Sequence, residues 1–335
     1  MKRFLIRNLT LILVAAFLLS ASGCSNSPAS SSQDPAASDQ AEKVKIEFYS
    51  GSPGGGWYPI AVALAEIWMK EIPNLEFSHM DAGGSGNLIA MNDSLCQIAI
   101  SSSASIGDGV VGNDPFAEKT TKVFGLAALT PEPWGIMVWK DSNIRTFEDM
   151  KGKALVPLPK GYTTEAICRR VLQAAGMSYD DFSKVDFVHI TEAVNLMKDN
   201  HTDIFAETFS REGDGTLMEL SLTRPLHIID IPKEIQDKVV EISPGLFPDI
   251  IKAGAYSGVD QDTNVLGQTL AIAISSELSE DLVYQMTKAM VENWDQMQLV
   301  DSGLAELEPQ DLARDVLGTE FHPGAMKYYQ EKGWL

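Results

Sequence analysis

The feature that most constrains the fold is a unit that occurs three times in succession near the start of the folded part. Each unit consists of a short apolar strand, a loop rich in glycine and serine, and a helix. The strands are predicted at residues 43–49, 75–79 and 98–100, and their loops at 51–56, 83–86 and 101–105. Strands joined by helices pair in parallel, so this succession predicts an α/β sheet with helical crossovers.

A second α/β run follows in the middle of the chain. After two strands at 123–129 and 134–139, we predict strands at 153–157, 185–189, 204–206 and 227–231 and helices at 165–175, 192–199 and 217–222. A strand at 268–274 and an amphipathic helix at 278–299, capped by Ser276 or Ser279, come later. We therefore predict two α/β lobes, with residues 43–138 and 269–335 in lobe 1 and residues 139–268 in lobe 2. The two crossing segments would form a hinge beside a central cleft.

The N-terminal sequence predicts a location outside the cytoplasm. Residues 1–23 combine a basic start, an apolar run and small residues before Cys24, which resembles a bacterial lipoprotein signal peptide. Residues 24–42 are rich in Ser, Ala, Pro and Asp, which is typical of a flexible linker. We expect a protein anchored to the cell membrane by a lipid on Cys24, in the periplasm or on the outer face of the cytoplasmic membrane. The alternative is an ordinary cleaved signal with a chance cysteine.

Composition excludes several function classes. The 335 residues carry 46 acidic and 26 basic side chains, and a net charge of −20 would repel nucleic acid. Of the three cysteines, Cys96 and Cys168 lie in apolar patterns and are predicted to be buried free thiols. The five histidines show no metal-ligand spacing, and no nucleophile-elbow, dinucleotide or phosphate-loop motif is complete. We expect no metal, no cofactor and no enzymatic activity.

Polar side chains and glycines collect where predicted strands end and helices begin, which is where open α/β sheets bind ligands. Backbone N–H groups at helix starts attract a small anion such as a carboxylate, and aromatic rings could line a cleft. The candidate ligand-binding residues are Ser52, Gly55, Trp57, Tyr58, Ser85, Asn87, Ser102, Ser103, Trp134, Thr163, Thr164, Phe209 and Arg211. The simpler alternative is helix capping for each loop and core packing for the rings.

One acid–base pair of lobe 2 has two interpretations. Arg211 could bind a ligand carboxylate, and Glu207 could receive an ammonium group. The alternative is a local ion pair between these two residues, which would contribute little.

Several long segments resemble a known family. The stretches GSPGGGWYPIAVALAEIW, DAGGSGNLIAMNDSLCQIAI, ALTPEPWGIMVWKDSNIRTFEDMKGK and FHPGAMKYYQEKGW are similar to the TAXI-type solute-binding proteins of tripartite ATP-independent periplasmic (TRAP) transporters. The resemblance covers roughly residues 43–335. It implies a type II periplasmic-binding-protein-like fold that closes on a small organic acid or amino acid, such as glutamate or a related dicarboxylate.

The resemblance also implies a partner, the membrane permease subunits that accept the solute, and we expect the receptor to be monomeric. Trp57 stands where the family usually has tyrosine, and the segments 160–164 and 208–212 also depart from the family pattern. These departures are consistent with a ligand other than plain glutamate. The alternative function is a sensory receptor of the same fold that signals to a membrane partner.

Overall fold

The computed structural model of the protein describes residues 43–211, 213–315 and 318–335. The predicted signal peptide, the lipidated Cys24 and the linker lie outside the described residues. Within the described part, no helix is both long and apolar enough to cross a membrane.

The described residues form one mixed sheet with helices packed on it. The strands are β1 (Val44–Ser50), β2 (Leu75–Asp81), β3 (Ile98–Ser102), β4 (Val123–Trp139), β5 (Ala154–Val156), β6 (Lys184–Val185), β7 (Ile204–Thr208), β8 (Leu226–Ile228), β9 (Phe247–Ile251) and β10 (Thr263–Ser275). Their order is β2-β1-β3-β10-β4-β7-β5-β6, with β8 beside β4 and β9 beside β10. The predicted parallel pairing of the first three strands is confirmed, because β1 pairs in parallel with both β2 and β3.

The helices cover this sheet through apolar faces. They are α1 (Trp57–Glu71), α2 (Gly83–Asn92), α3 (Ser103–Val111), α4 (Thr163–Ala174), α5 (Ile190–Lys198), α6 (Gly215–Thr223), α7 (Lys233–Ile242), α8 (Glu280–Glu292), α9 (Trp294–Met297) and α10 (Pro323–Glu331). In α1, Ile60, Leu64 and Trp68 recur at helical spacing and are buried. Ser279, one of the two predicted caps, accepts a hydrogen bond from the Leu282 N–H and starts α8.

The two strands predicted at 123–129 and 134–139 are in fact one continuous strand, β4. Pro131 and Pro133 lie inside this strand, although proline cannot donate to a ladder. Both still pair with β10, opposite Thr269 and Gly267, and the register shifts between Pro131 and Ala128. The Pro133 carbonyl still accepts a hydrogen bond from the Phe209 N–H at 2.9 Å.

Strands β4 and β10 run antiparallel along each other through the middle of the sheet. On one side β10 pairs with β3, and on the other β4 pairs with β7 and β8. One apolar core surrounds β1–β3 and two others surround β5–β7. We call the part of the molecule around β1–β3 the first half and the part around β5–β7 the second half. The lobe boundaries predicted at residues 138 and 268 fall inside β4 and β10.

The prediction of one long helix over 278–299 was wrong in length, because α8 ends at Glu292. The Asn293 side chain donates to the Ala289 carbonyl at 2.9 Å and so competes with the backbone. The strand predicted at 185–189 is wrong in length and place, because β6 has only two residues and overlaps it only at Val185. Sequence reasoning missed α7, β9 and α10, whose short amphipathic segments lie between stronger signals.

The two cysteines of the described part are buried free thiols, as predicted. Burial raises the pKa of Cys96 to about 12, so it remains a protonated thiol at neutral pH. Burial likewise raises the pKa of Cys168. Neither thiol therefore has the properties of a reactive cysteine.

We expect Gly245→Ala to lower the free energy of unfolding by about 1–3 kcal/mol, the usual cost of overpacking. A Cβ at this position would lie 1.8 Å from the Ser103 carbonyl oxygen, where α3 meets the loop before β9. Urea denaturation would measure the loss. Gly215→Ala is the matched control, because a Cβ there meets nothing within 4 Å. Equal stability of the two variants would contradict the close contact.

Candidate functional site

A cavity of about 470 Å³ lies between the two halves of the molecule. Its wall from the first half is the loop of residues 51–56 with the starts of α1 and α2. Its wall from the second half is the end of β7 with the starts of α4 and α6. This volume falls in the range of small-molecule sites.

Seven of the thirteen predicted site residues line this cavity. They are Ser52, Gly55, Trp57, Tyr58, Thr163, Thr164 and Phe209. The sequence signal was the end of a strand followed by the start of a helix, and the topology brings four such places together. The rings of Trp57, Tyr58, Tyr162 and Phe209 make the wall strongly aromatic.

Asn87 does not reach the cavity, and its role is structural. The side chain is fully buried, and its amide donates to the carbonyls of Ser50 and Ile100 at 2.9 Å each. Its oxygen accepts from the Ala82 N–H at 3.1 Å. Asn87 therefore ties the start of α2 to β1 and β3.

Ser85, Ser102 and Ser103 also lie outside the cavity wall. Ser85 hydrogen-bonds to Ser105, and Ser102 caps α3 by accepting from the Ser105 N–H. Ser103 donates to the Gly245 carbonyl at 2.7 Å. For these three residues, the simpler alternative of capping and internal bonding describes what the structure shows.

Trp134 and Arg211 complete the predicted residues that the structure does not bring to the cavity. Trp134 is fully buried, and its indole N–H donates to the Thr164 hydroxyl at 2.9 Å, behind the cavity wall. Arg211 forms a bidentate ion pair with Asp249, in which its two terminal guanidinium nitrogens donate to the two carboxylate oxygens at 2.8 and 2.7 Å. The local ion pair of Arg211 with Glu207 that we considered is therefore wrong.

Contacts across the cleft hold the two halves together in this structure. The Tyr162 hydroxyl donates to Asp81 at 2.6 Å, and Ser105 hydrogen-bonds to Thr163 at 2.6 Å. The glycines of residues 83–86, predicted as a loop, form the first turn of α2 and permit this approach. A Cβ on Gly83 would lie 2.2 Å from the Tyr162 ring, and one on Gly84 would lie 2.1 Å from the Thr163 hydroxyl. The start of α2 thus brings the two halves into contact.

The charged residues of the cavity wall are all acidic. They are Glu132, Glu207, Asp214, Glu219 and Asp301. No lysine, arginine or histidine of the described residues lines the cavity. The expected preference for a dicarboxylate thus finds no basic partner in this wall.

Glu132 projects from the middle of β4 and is held by an indole. The Trp57 Nε1–H donates to both carboxylate oxygens, at 3.1 and 3.3 Å. Burial raises the pKa of Glu132 to about 8, Asp301 and Asp214 add to the rise, and the Trp57 hydrogen bond opposes it. This carboxyl can therefore change charge near neutral pH.

Glu207, at the end of β7, is nine-tenths buried. Its Oε2 has no hydrogen-bond partner among the described residues. Burial raises its pKa well above the ordinary value for glutamate, and Asp214 and Glu132 raise it further. Asp214 is better satisfied, because it caps α6 by accepting from the Leu217 N–H at 3.0 Å.

Sequence reasoning missed Glu132, Asp214 and Asp301 as cavity residues. Asp214 and Asp301 had no signal, since each lies in a polar connection far along the chain from the other cavity residues. Glu132 had one, because it is the only charged residue in the 17-residue segment that forms β4. No group of three or more His, Cys, Asp or Glu side chains in the described part is arranged to hold a metal ion.

A two-part α/β fold around a cavity of this size is that of the type II periplasmic binding proteins. The chain belongs to the NMT1-like family, whose model matches residues 48–333.

Solved structures agree with this fold. MatC from Rhodopseudomonas palustris with bound malate is 14% identical, with a TM-score of 0.52 over 87% of this chain and 98% of that one. The periplasmic binding protein BugD is 12% identical, with a TM-score of 0.52 over 88% and 95% of the two chains.

Proposed function

We propose that the protein captures a small polar organic solute, such as an amino acid, in the cavity between its halves and delivers it to a TRAP-type membrane permease. The cavity itself carries this proposal, because both halves contribute its wall and hydrogen bonds already join them across it. A solute that touches both walls would stabilise this closed form by its higher affinity for it.

The wall offers groups for a polar solute. Helices α1 and α4 begin on it, and neither has a side-chain cap at its start. Their first backbone N–H groups and the positive ends of their dipoles favour a carboxylate. The hydroxyls of Ser52 and Thr163 add neutral hydrogen-bonding groups.

The transport partner and the location are part of the same proposal. The resemblance of residues 43–335 to TAXI-type receptors supports a TRAP permease, and the N-terminal pattern supports a lipid anchor on Cys24. Such an anchor would hold the receptor outside the cytoplasm, close to the membrane that contains the permease.

Thermal unfolding of the purified protein with amino acids, amines, dicarboxylates and 2-oxoacids tests solute capture. We expect at least one probe to raise the Tm. Trp57→Ala should weaken that probe's binding about tenfold or more, since it removes a ring from the wall. Trp334→Ala is the control, because Trp334 packs on the first core, away from the cavity. If no probe shifts the Tm, solute capture is wrong.

A further inference from the structure

We propose that the cavity selects a solute carrying a protonated amine, and that Glu207 and Glu132 bind its positive charge. This inference rests on the proposed function and narrows its substrate class. It reverses the expectation of a dicarboxylate, because it places a positive charge where that expectation requires a negative one.

The charge of the wall is the first observation. Five acidic side chains line the cavity, and none of the described lining residues is basic. Of the five, Glu219 is paired with Lys198, and Arg211 of the second half is paired with Asp249 outside the wall. A second carboxylate of a ligand would therefore enter a negative field without a counter-ion, whereas an ammonium group would be attracted.

The unpartnered oxygen of Glu207 is the second and independent observation. Buried polar atoms in native proteins almost always have a partner, and an unpaired buried charge is costly. Glu207 Oε2 has no partner among the described residues, yet the side chain is nine-tenths buried on the cavity wall. The titratable groups around Glu207 are Asp214, Glu132 and Tyr162. All of these are acidic or neutral, so the missing partner is a donor that the solute supplies.

The aromatic wall fits the same ligand. Trp57 fixes Glu132 through its indole N–H, and Tyr58, Tyr162 and Phe209 add further rings around the cavity. Ring faces attract ammonium groups, more strongly where water is excluded. A zwitterionic amino acid would place its amine at Glu207 and Glu132 and its carboxylate at the uncapped helix starts.

The alternative is that protonated Glu207 donates a hydrogen bond to an oxygen of an uncharged or anionic solute. The two cases differ in sign with pH. An ammonium group requires ionised carboxylates, so its affinity rises as the pH increases towards and through 8. A solute that needs the protonated carboxyl would lose affinity over the same interval.

Isothermal titration between pH 6.5 and 8.5 separates the two cases. The probes are 1,4-diaminobutane, 4-aminobutanoate and L-glutamine, each compared with butanedioate, which has the four-carbon length of the first two but lacks an amine. We expect an amine-bearing probe to bind more tightly as the pH rises and butanedioate not to bind. Glu207→Gln should weaken the amine-bearing probe at least about thirtyfold, the usual effect of removing one partner of a desolvated charge pair.

The controls make each outcome decisive. Glu277→Gln changes an exposed glutamate paired with Lys122 and should bind as the unmodified protein does. Glu207→Gln should be at least as stable as the parent without probe, so weak binding would not reflect misfolding. Binding of butanedioate without any amine-bearing probe, or affinity that falls with rising pH, overturns this inference alone. Binding of no probe overturns the proposed function as well.

Discussion

Arg170→Ala is expected to lower the free energy of unfolding by about 3–5 kcal/mol, the usual cost of breaking a buried ion pair from one side. Arg170 of α4 and Asp108 of α3 are only 6% and 2% exposed and lie 2.5 Å apart. Asp108 also accepts from Ser243 at 2.8 Å and Asn113 at 3.1 Å. Truncating the arginine would leave this carboxylate buried without its counter-ion.

Urea denaturation at pH 7 would measure this loss. Lys233→Ala is the control, because its exposed ion pair with Asp237 should contribute no more than about 0.5 kcal/mol. The double variant Asp108→Leu, Arg170→Met should recover much of the stability, since it removes both charges together. A loss below about 1 kcal/mol for Arg170→Ala would show that the pair does not join the halves as the structure indicates.

Without a solute, stability is expected to fall as the pH rises from about 6.5 to 8. A carboxyl whose pKa is higher in the folded than in the unfolded protein stabilises the fold at low pH and loses that contribution as it ionises. The pKa of Glu132 is raised from 4.5 to about 8. Its ionisation alone should therefore lower the free energy of unfolding by about 1.4 kcal/mol for each unit that the pH rises towards 8. This amounts to about 2 kcal/mol over the interval, and Glu207 should add to it.

Denaturation curves at several pH values would measure this slope. The interval begins near 6.5 because burial lowers the pKa of His79, His227 and His322, and their contribution has the opposite sign below that pH. Glu132→Gln should flatten the slope by about 1.4 kcal/mol per pH unit and leave the variant more stable than the parent at pH 8. A slope that is flat or positive in the parent would mean that water solvates the cavity carboxyls.

The fold was largely predictable from the sequence because local patterns determine it. The alternation of apolar residues predicts strand β1, the run of glycines predicts the loop, and apolar residues at helical spacing predict helix α1. The errors came where tertiary contacts override a local signal. β4 continues through Pro131 and Pro133, because both still pair with β10 and a register shift next to Pro131 keeps the ladder going. Asn293 ends α8 with a side-chain hydrogen bond that helical periodicity does not encode.

The candidate site was predictable only in part, for a different reason. Polar residues after strands mark the correct region, but a polar side chain there can face the ligand or the protein. Asn87 and Ser103 face the protein, and Ser52 faces the cavity. The acidic character of the site arises when β4, β7 and the connections that carry Asp214 and Asp301 converge, so it requires the three-dimensional structure.

The two neighbouring strands β4 and β10 have a mechanical consequence. They form a two-stranded antiparallel ribbon that runs through both halves, and Glu132 of β4 lies opposite Gln268 of β10. We expect opening of the cleft to bend or twist this ribbon, because continuous strands and not a flexible loop connect the two halves here. A solute that contacts Glu132 would therefore restrain the two strands that connect the halves, in addition to filling the cleft.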